Sequence, residues 1–277
     1  MLRHALPPIF VAFTPPPGGS VKHIFGVNVR GFDRTRLHRR AIFAAALMFL
    51  SGGSLVSGAE GPIINGSVIQ IDVSSLLNAR AVTTLTDGKL ITWNRGIDGG
   101  GRASGYLTHA AAVANGDVNP LALPDVALIP ATAAHPDIQL HYANADGSGN
   151  QTCAVASEFS FAVPAHRYSG LFLALTSAEG ASTLHCELIY SDGSETRDVI
   201  CPDYFKDIAA EDADFSYVLT NLAKWNAKNA MVEKSHHNID ALNLHPDAQR
   251  TLTRVAVKKD KGGYLVFWAA TGIVAAP

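Results

Sequence analysis

The sequence predicts an all-β protein, an antiparallel β-sandwich of jelly-roll type over residues 60–277. Three observations predict it. Strand-length apolar runs recur from Ile63 onward, Asp-Gly and Gly-Gly punctuation separates them, and no long stretch carries the 3.6-residue period of an amphipathic helix.

The runs come in order. Ser67–Val73, Phe159–Val163, Gly170–Leu175, Thr251–Val257 and Tyr264–Trp268 are each four to eight residues long and most are rich in β-branched or aromatic residues. Between them fall Asp87-Gly88, Asp98-Gly-Gly-Gly101, Asn115-Gly-Asp117, Asp146-Gly-Ser-Gly149, Asp192-Gly193 and Lys261-Gly-Gly263, residue types that accept the positive φ of tight turns. Tyr204–Asn229 departs from this rhythm and is read as a long loop with room for a short helix or two. No repeat or interior linker is visible, so residues 60–277 are expected to form one domain.

Residues 1–59 read as a leader outside that domain. Arg34, Arg36, Arg39 and Arg40 precede the apolar run Ala41–Leu50, and Ser57-Gly-Ala59 offers small side chains for cleavage, the pattern of a secretory signal. The run is about half the ~20 residues that cross a bilayer, which sets a signal anchor below a cleaved signal. Residues 1–33 are open between a long leader or over-extended start and a flexible tail. The expected location is secreted, periplasmic or cell-surface, with the mature chain not integral to a membrane. The whole chain has a net charge of -2, but seven of the 22 Lys and Arg and only one of the 24 Asp and Glu precede Glu60, so the remainder is clearly acidic. No basic excess exists to neutralise a phosphate backbone, and a nucleic-acid partner is not expected.

The three cysteines, Cys153, Cys186 and Cys201, lie beyond the leader. Leu184–Tyr190 and Thr196–Cys201 flank Ser191-Asp-Gly-Ser-Glu195 as a hairpin. Pairing Tyr190 with Arg197 and Leu188 with Val199 sets Cys186 opposite Cys201 on one apolar face. A cross-strand disulfide and two reduced core thiols are both open at that point.

Ile71-Asp-Val-Ser-Ser-Leu-Leu-Asn78 followed by Gly96–Gly101, then Pro164–Leu175 with Leu188–Thr196, then Leu244–Val257, resembles successive parts of galactose-binding-like jelly rolls of exported bacterial glycan-active proteins. The resemblance spans most of residues 67–268 and consists of turns and strand edges, with no catalytic signature. The Ala/Val-rich stretch 110–134 and the cysteines depart from it. It implies an exported carbohydrate-binding or cell-surface accessory domain without catalytic activity. The alternatives are a jelly-roll polysaccharide lyase or glycoside hydrolase, and a structural surface or assembly module. For a lyase, Tyr142 with His141 or Tyr168 with His166 would supply the base, although Tyr168 falls where the resembling domains keep a structural tyrosine.

The site residues expected for a glycan are Trp93, Asn94, Arg95 and Asp98. An indole face stacks on sugar C–H edges while the polar groups meet hydroxyls, and the glycines that follow let backbone approach a ligand. No organic cofactor is expected. A structural calcium held by Asp98 and exposed carbonyls is the one ion the pattern admits, against the plainer reading of a glycine turn with a solvated aspartate. Trp268 is expected in the core and Trp225 is undecided. His236, His237, Asp240 and His245 read as an exposed polar edge, because neighbours on a strand point to opposite faces.

Overall fold

The computed structural model describes residues 66–99, 103–142 and 158–276. Its elements are β1 (Val68–Ile71), β2 (Val82–Thr86), β3 (Lys89–Ile91), β4 (Ser104–Leu107), α1 (His109–Ala114), β5 (Leu128–Ile129), β6 (Ile138–Gln139), β7 (Glu158–His166), β8 (Tyr168–Tyr190), β9 (Gly193–Cys201), β10 (Phe215–Asn226), β11 (Met231–Asn243) and β12 (Leu252–Val274). The described chain is predominantly β.

The 23-residue strands β8 and β12 pair along most of their length and organise everything else. The two expected runs Thr251–Val257 and Tyr264–Trp268 are halves of the single strand β12. Lys261-Gly-Gly263 is a bend within it rather than a turn out of it, marked by register shifts on both sides of Gly262. Gly262 sits at φ +100°, where a Cβ would fall 1.9 Å from the Ala181 carbonyl oxygen, so the close passage of β8 past this bend requires glycine. Facing it, Glu179 and Gly180 also have positive φ. On one side of the bend the strand order is β7-β12-β8-β9. On the other it is β1-β12-β8-β11-β10-β4-β2-β3.

Side chains from the two halves meet in one apolar cluster. Leu184, Cys186, Leu188, Val255 and Val257 pack with Leu171, Leu173, Leu175, Leu265 and Phe267. The Phe267 ring lies 4.8 Å from that of Phe159 and 5.6 Å from that of Phe161. The reverse face, with Phe172, Ala174, Val266 and Trp268, is covered by Ile97, Tyr106, Leu123, Ile138 and Leu140. Both faces of Leu171–Leu175 and Leu265–Ala270 are therefore buried, which is why these segments are continuous apolar runs instead of alternating ones.

Several expectations are corrected. The sheet is mixed, not purely antiparallel, since β2 runs parallel to β4 with Val82 opposite Tyr106. The polypeptide leaves β2 through the β3 hairpin and the loop at Trp93–Gly99, then returns in the same direction. The doubtful stretch 204–229 holds no helix; it is a turn-rich segment followed by β10. The Ala-rich stretch instead carries α1, capped by Thr108, whose hydroxyl accepts from Ala111 N at 3.4 Å.

The hairpin exists in a different register. Ser191 and Asp192 alone form the loop, so Tyr190 pairs with Gly193, Cys186 with Arg197, and Cys201 with Ser182. The tight turn extends the ladder through residues that a five-residue loop would leave unpaired. Arg250 pins it, holding Asp192 Oδ1 at 2.7 and 2.9 Å while its guanidinium lies 4.0 Å from the centre of the Tyr190 ring. The four-residue shift is even, so Cys186, Leu188, Val199 and Cys201 keep their common buried face. It nevertheless separates the cysteines by about 13 Å along the strands, beyond the reach of a disulfide. Both are free buried thiols. Cys153, the Asp146 turn and residues 1–65 lie outside the described residues.

No helix among the described residues is long and apolar enough to cross a membrane.

Candidate functional site

Strands β10 and β11 form a hairpin whose ladder is broken repeatedly between Tyr217 and Trp225. The turn is tied by Asn226, whose side-chain oxygen accepts from the backbone N–H groups of Lys228 and Ala230 at 2.9 and 3.1 Å. Asn221 and His236 adopt positive φ, and each irregularity resets which face the next side chain takes. The bulges give Lys224 and Glu233 directly opposed positions and turn His237 inward opposite Leu222.

Lys224 is 7% exposed at its side chain yet carries its charge in company. Its Nζ donates to Tyr204 Oη at 2.7 Å and meets Glu233 Oε1 at 2.7 Å. Burial alone would lower the ammonium pKa, but the bonds to Glu233 and Tyr204 outweigh it and raise the value above that of ordinary lysine. For Glu233, burial pushes upward and is overcome by Lys224 and His237, which hold the carboxyl below its usual range. The other Glu233 oxygen lies 3.0 Å from His237 Nε2. His237 Nδ1 lies 2.9 Å from the Leu222 carbonyl, which can only accept, so both ring contacts are satisfied together when the imidazole is protonated. Burial works against that state and lowers the His237 pKa.

Pairing of β10 with β4 carries a second group into the same place. Trp225 lies opposite Gly105 and Asn226 opposite Ser104. Ser104 N donates to Asp98 Oδ1 at 2.8 Å, fixing the carboxylate, while Asp98 Oδ2 stands 3.9 Å from Lys224 Nζ. That distance is too long for a hydrogen bond. Tyr204 and Glu233 engage two of the three N–H groups of the ammonium, which leaves one beside this gap. Trp93, held by its backbone N–H on Thr83 Oγ1 at 3.2 Å, completes one wall. A Cβ on Gly105 would fall 2.5 Å from the Trp93 Cδ1 and Nε1 atoms, so the indole occupies that place only because residue 105 is glycine.

Trp93, Asp98, Lys224, Asn226 and Glu233 line one open cleft of about 790 Å³, with Glu179 and Lys228 toward its rim. Two of the four expected site residues are thus in the cleft, and two are not. Asn94 Oδ1 accepts from Arg80 N at 2.8 Å, and Arg95 anchors its backbone N–H on the Arg80 carbonyl. These residues hold the loop that carries Trp93. Asp98 is not the solvated aspartate of a glycine turn but a buried one, because Ser104 and Lys224 both turn toward it. Among the described residues no group of three or more His, Cys, Asp or Glu is arranged to hold a metal ion.

Of the expected exposed histidine edge, His236 and His245 are exposed, and His237 and Asp240 are corrected. β11 is an interior strand between β8 and β10, and His237 and Asp240 are both buried because the strained His236 alters the alternation. Both carboxyl oxygens of Asp240 lack a hydrogen-bond partner among the described residues, as does the buried Tyr106 hydroxyl. Burial pushes the Asp240 carboxyl up to about 8. Trp268 is core as expected, with Nε1 donating to Thr176 Oγ1 at 2.9 Å. Trp225 is core too, donating to Asp117 Oδ2 at 2.8 Å. Tyr168 and Tyr142 are buried with their hydroxyls donated to the carbonyls of Pro164 and Pro124, which leaves neither placed as a catalytic base.

Lys224, Glu233, Tyr204 and His237 were not legible as a site. The single signal was a lysine inside the apolar run Leu222-Ala-Lys-Trp225, a position that calls for a partner. Compared with family models and with curated proteins, the chain matches none of them.

Proposed function

We propose that this chain is an exported carbohydrate-binding or cell-surface accessory domain of galactose-binding-like, jelly-roll kind, and that the β4–β10–β11 cleft is where it holds a glycan. The observation that carries this reading is the gap between Lys224 Nζ and Asp98 Oδ2, 3.9 Å wide, beside the half-buried Trp93. A hydroxyl placed there accepts from the ammonium and donates to the carboxylate, while an aromatic wall flanks the ring that bears it. The predominance of β structure and the strand-and-turn resemblance support the same reading. His237 and Tyr204 are nearly closed off behind Lys224 and Glu233, so they act on those two side chains rather than on a ligand.

The test is a glycan array and a polysaccharide panel probed with the full-length protein, with Trp93→Ala and Lys224→Met alongside. Saturable binding without turnover, weakened by both substitutions, supports the proposal. Product release points to a lyase or hydrolase, and binding to nothing points to a structural module; either result overturns it.

A further inference from the structure

The cleft offers one donor and one acceptor to the same point, and only certain groups satisfy both. Lys224 Nζ has spent two of its N–H groups on Tyr204 and Glu233, and Asp98 has spent Oδ1 on Ser104 N. What remains is one N–H and one carboxylate oxygen 3.9 Å apart, on side chains 7% and 9% exposed. A ligand ammonium can donate to Asp98 but has no lone pair for Lys224. A ligand carboxylate can accept from Lys224 but has no proton for Asp98. A hydroxyl does both, and leaves neither buried charge without a partner.

The wider charge balance points the same way. Asp98, Glu179 and Glu233 line the cleft against Lys224 and Lys228, and Glu233 already faces the Lys224 charge at 2.7 Å. Among the described lining residues two lysines stand against three carboxylates, so the cleft has no net positive charge to hold an acidic sugar, and an anion entering would stand among those carboxylates.

We infer that the cleft selects uncharged sugars, reading a single free hydroxyl through the Lys224–Asp98 pair and discriminating against uronic acids and against an amine at that position. This inference rests on the proposed glycan-binding function and adds the ligand class to it.

The experiment is calorimetric titration of the full-length protein at pH 7. The probes are the methyl glycosides of glucose, galactose and mannose, the methyl glycosides of the matching uronic acids, and the singly deoxy and singly amino-deoxy forms of whichever neutral glycoside binds best. Binding should weaken at least tenfold for the uronic acid. At one ring position both the deoxy and the amino-deoxy form should lose at least tenfold, and the remaining positions should vary less. Asp98→Asn keeps the oxygen that accepts from Ser104 and replaces the other with a donor facing Lys224. It should lose the same tenfold or more, and its melting temperature, read alongside, reports what removing the charge beside Lys224 costs. A uronic acid that binds as tightly as its neutral partner, or a positional series with no such position, overturns this inference while the binding function stands. Failure of every neutral and charged probe to bind overturns the glycan-binding function itself. The sugar series reads the wild-type protein, so the result does not depend on how Asp98→Asn folds.

Discussion

Lys224 and Glu233 face each other directly across β10 and β11, with Nζ 2.7 Å from Oε1. The two ends of this pair are unequally buried, the lysine side chain being 7% exposed and the glutamate 52%. The lysine therefore depends on the glutamate more than the reverse. Losing Glu233 leaves a buried ammonium with Tyr204 and a distant Asp98, whereas losing Lys224 leaves a carboxylate that can turn to water.

Glu233→Gln retains an oxygen for Lys224 but removes the charge, and it should cost about 1–3 kcal/mol of folding stability, the range for a weakened bond to a buried charged group. Glu233→Leu removes the acceptor too and should cost more. Paired urea melts of the two variants measure the difference. Equal losses would show that shape rather than charge governs this position.

Asp240 makes stability fall as pH rises. Its carboxyl titrates at about 8 in the folded protein against an ordinary value of 3.8, because burial disfavours the charged form. The folded state thus holds a proton that the unfolded state releases. Its stabilising effect is complete below pH 3.8 and is lost progressively as pH rises toward about 8. Asp240→Asn should flatten this slope and melt higher than wild type at pH 8. Melting curves across pH 5 to 8 test it, and a slope unchanged in the variant would remove Asp240 as its source.

Gly105 is the floor beneath Trp93. In Gly105→Ala the new methyl group meets the indole at 2.5 Å and the Ala81 carbonyl oxygen at 2.8 Å, so the ring must move out of its place. Overpacking of this kind costs about 1–3 kcal/mol. The variant should melt lower and lose glycan binding together with Trp93→Ala. Wild-type binding in a folded Gly105→Ala would show that the position of the indole is immaterial.

Cys186 and Cys201 should be chemically silent in the native state. Both are buried, and burial pushes the Cys186 thiol up to about 12, leaving almost no thiolate at neutral pH. In Cys153→Ser protein, a thiol reagent should label neither cysteine until denaturant is added, and then label two. A melting temperature that drops on adding reductant to this variant would contradict the observed register.

The sequence by itself determined the β character of this protein, the positions of β1, β7 and β9 and of parts of β8 and β12, and the burial of Trp268. Those properties follow from local patterns, since apolar runs and turn residues act through neighbours a few positions away. Alternation also determined that Cys186 and Cys201 share one inward face, because parity survives a shift of four residues. Their separation depended on how tightly Ser191-Asp192 closes, which Arg250, nearly sixty residues later, helps to settle. Trp93 and Asp98 were legible in the sequence as candidates, but their meeting with Lys224 and Glu233 belonged to the tertiary structure. Trp93 and Asp98 come from one loop, Lys224 from β10 and Glu233 from β11, and they converge because bulges in one hairpin reset the alternation from which faces are read. A bulge shifts side chains by one position without altering composition or period, so the sequence carried its consequence for His237 and Asp240 in no local form, and only the packed strands decided which charges meet.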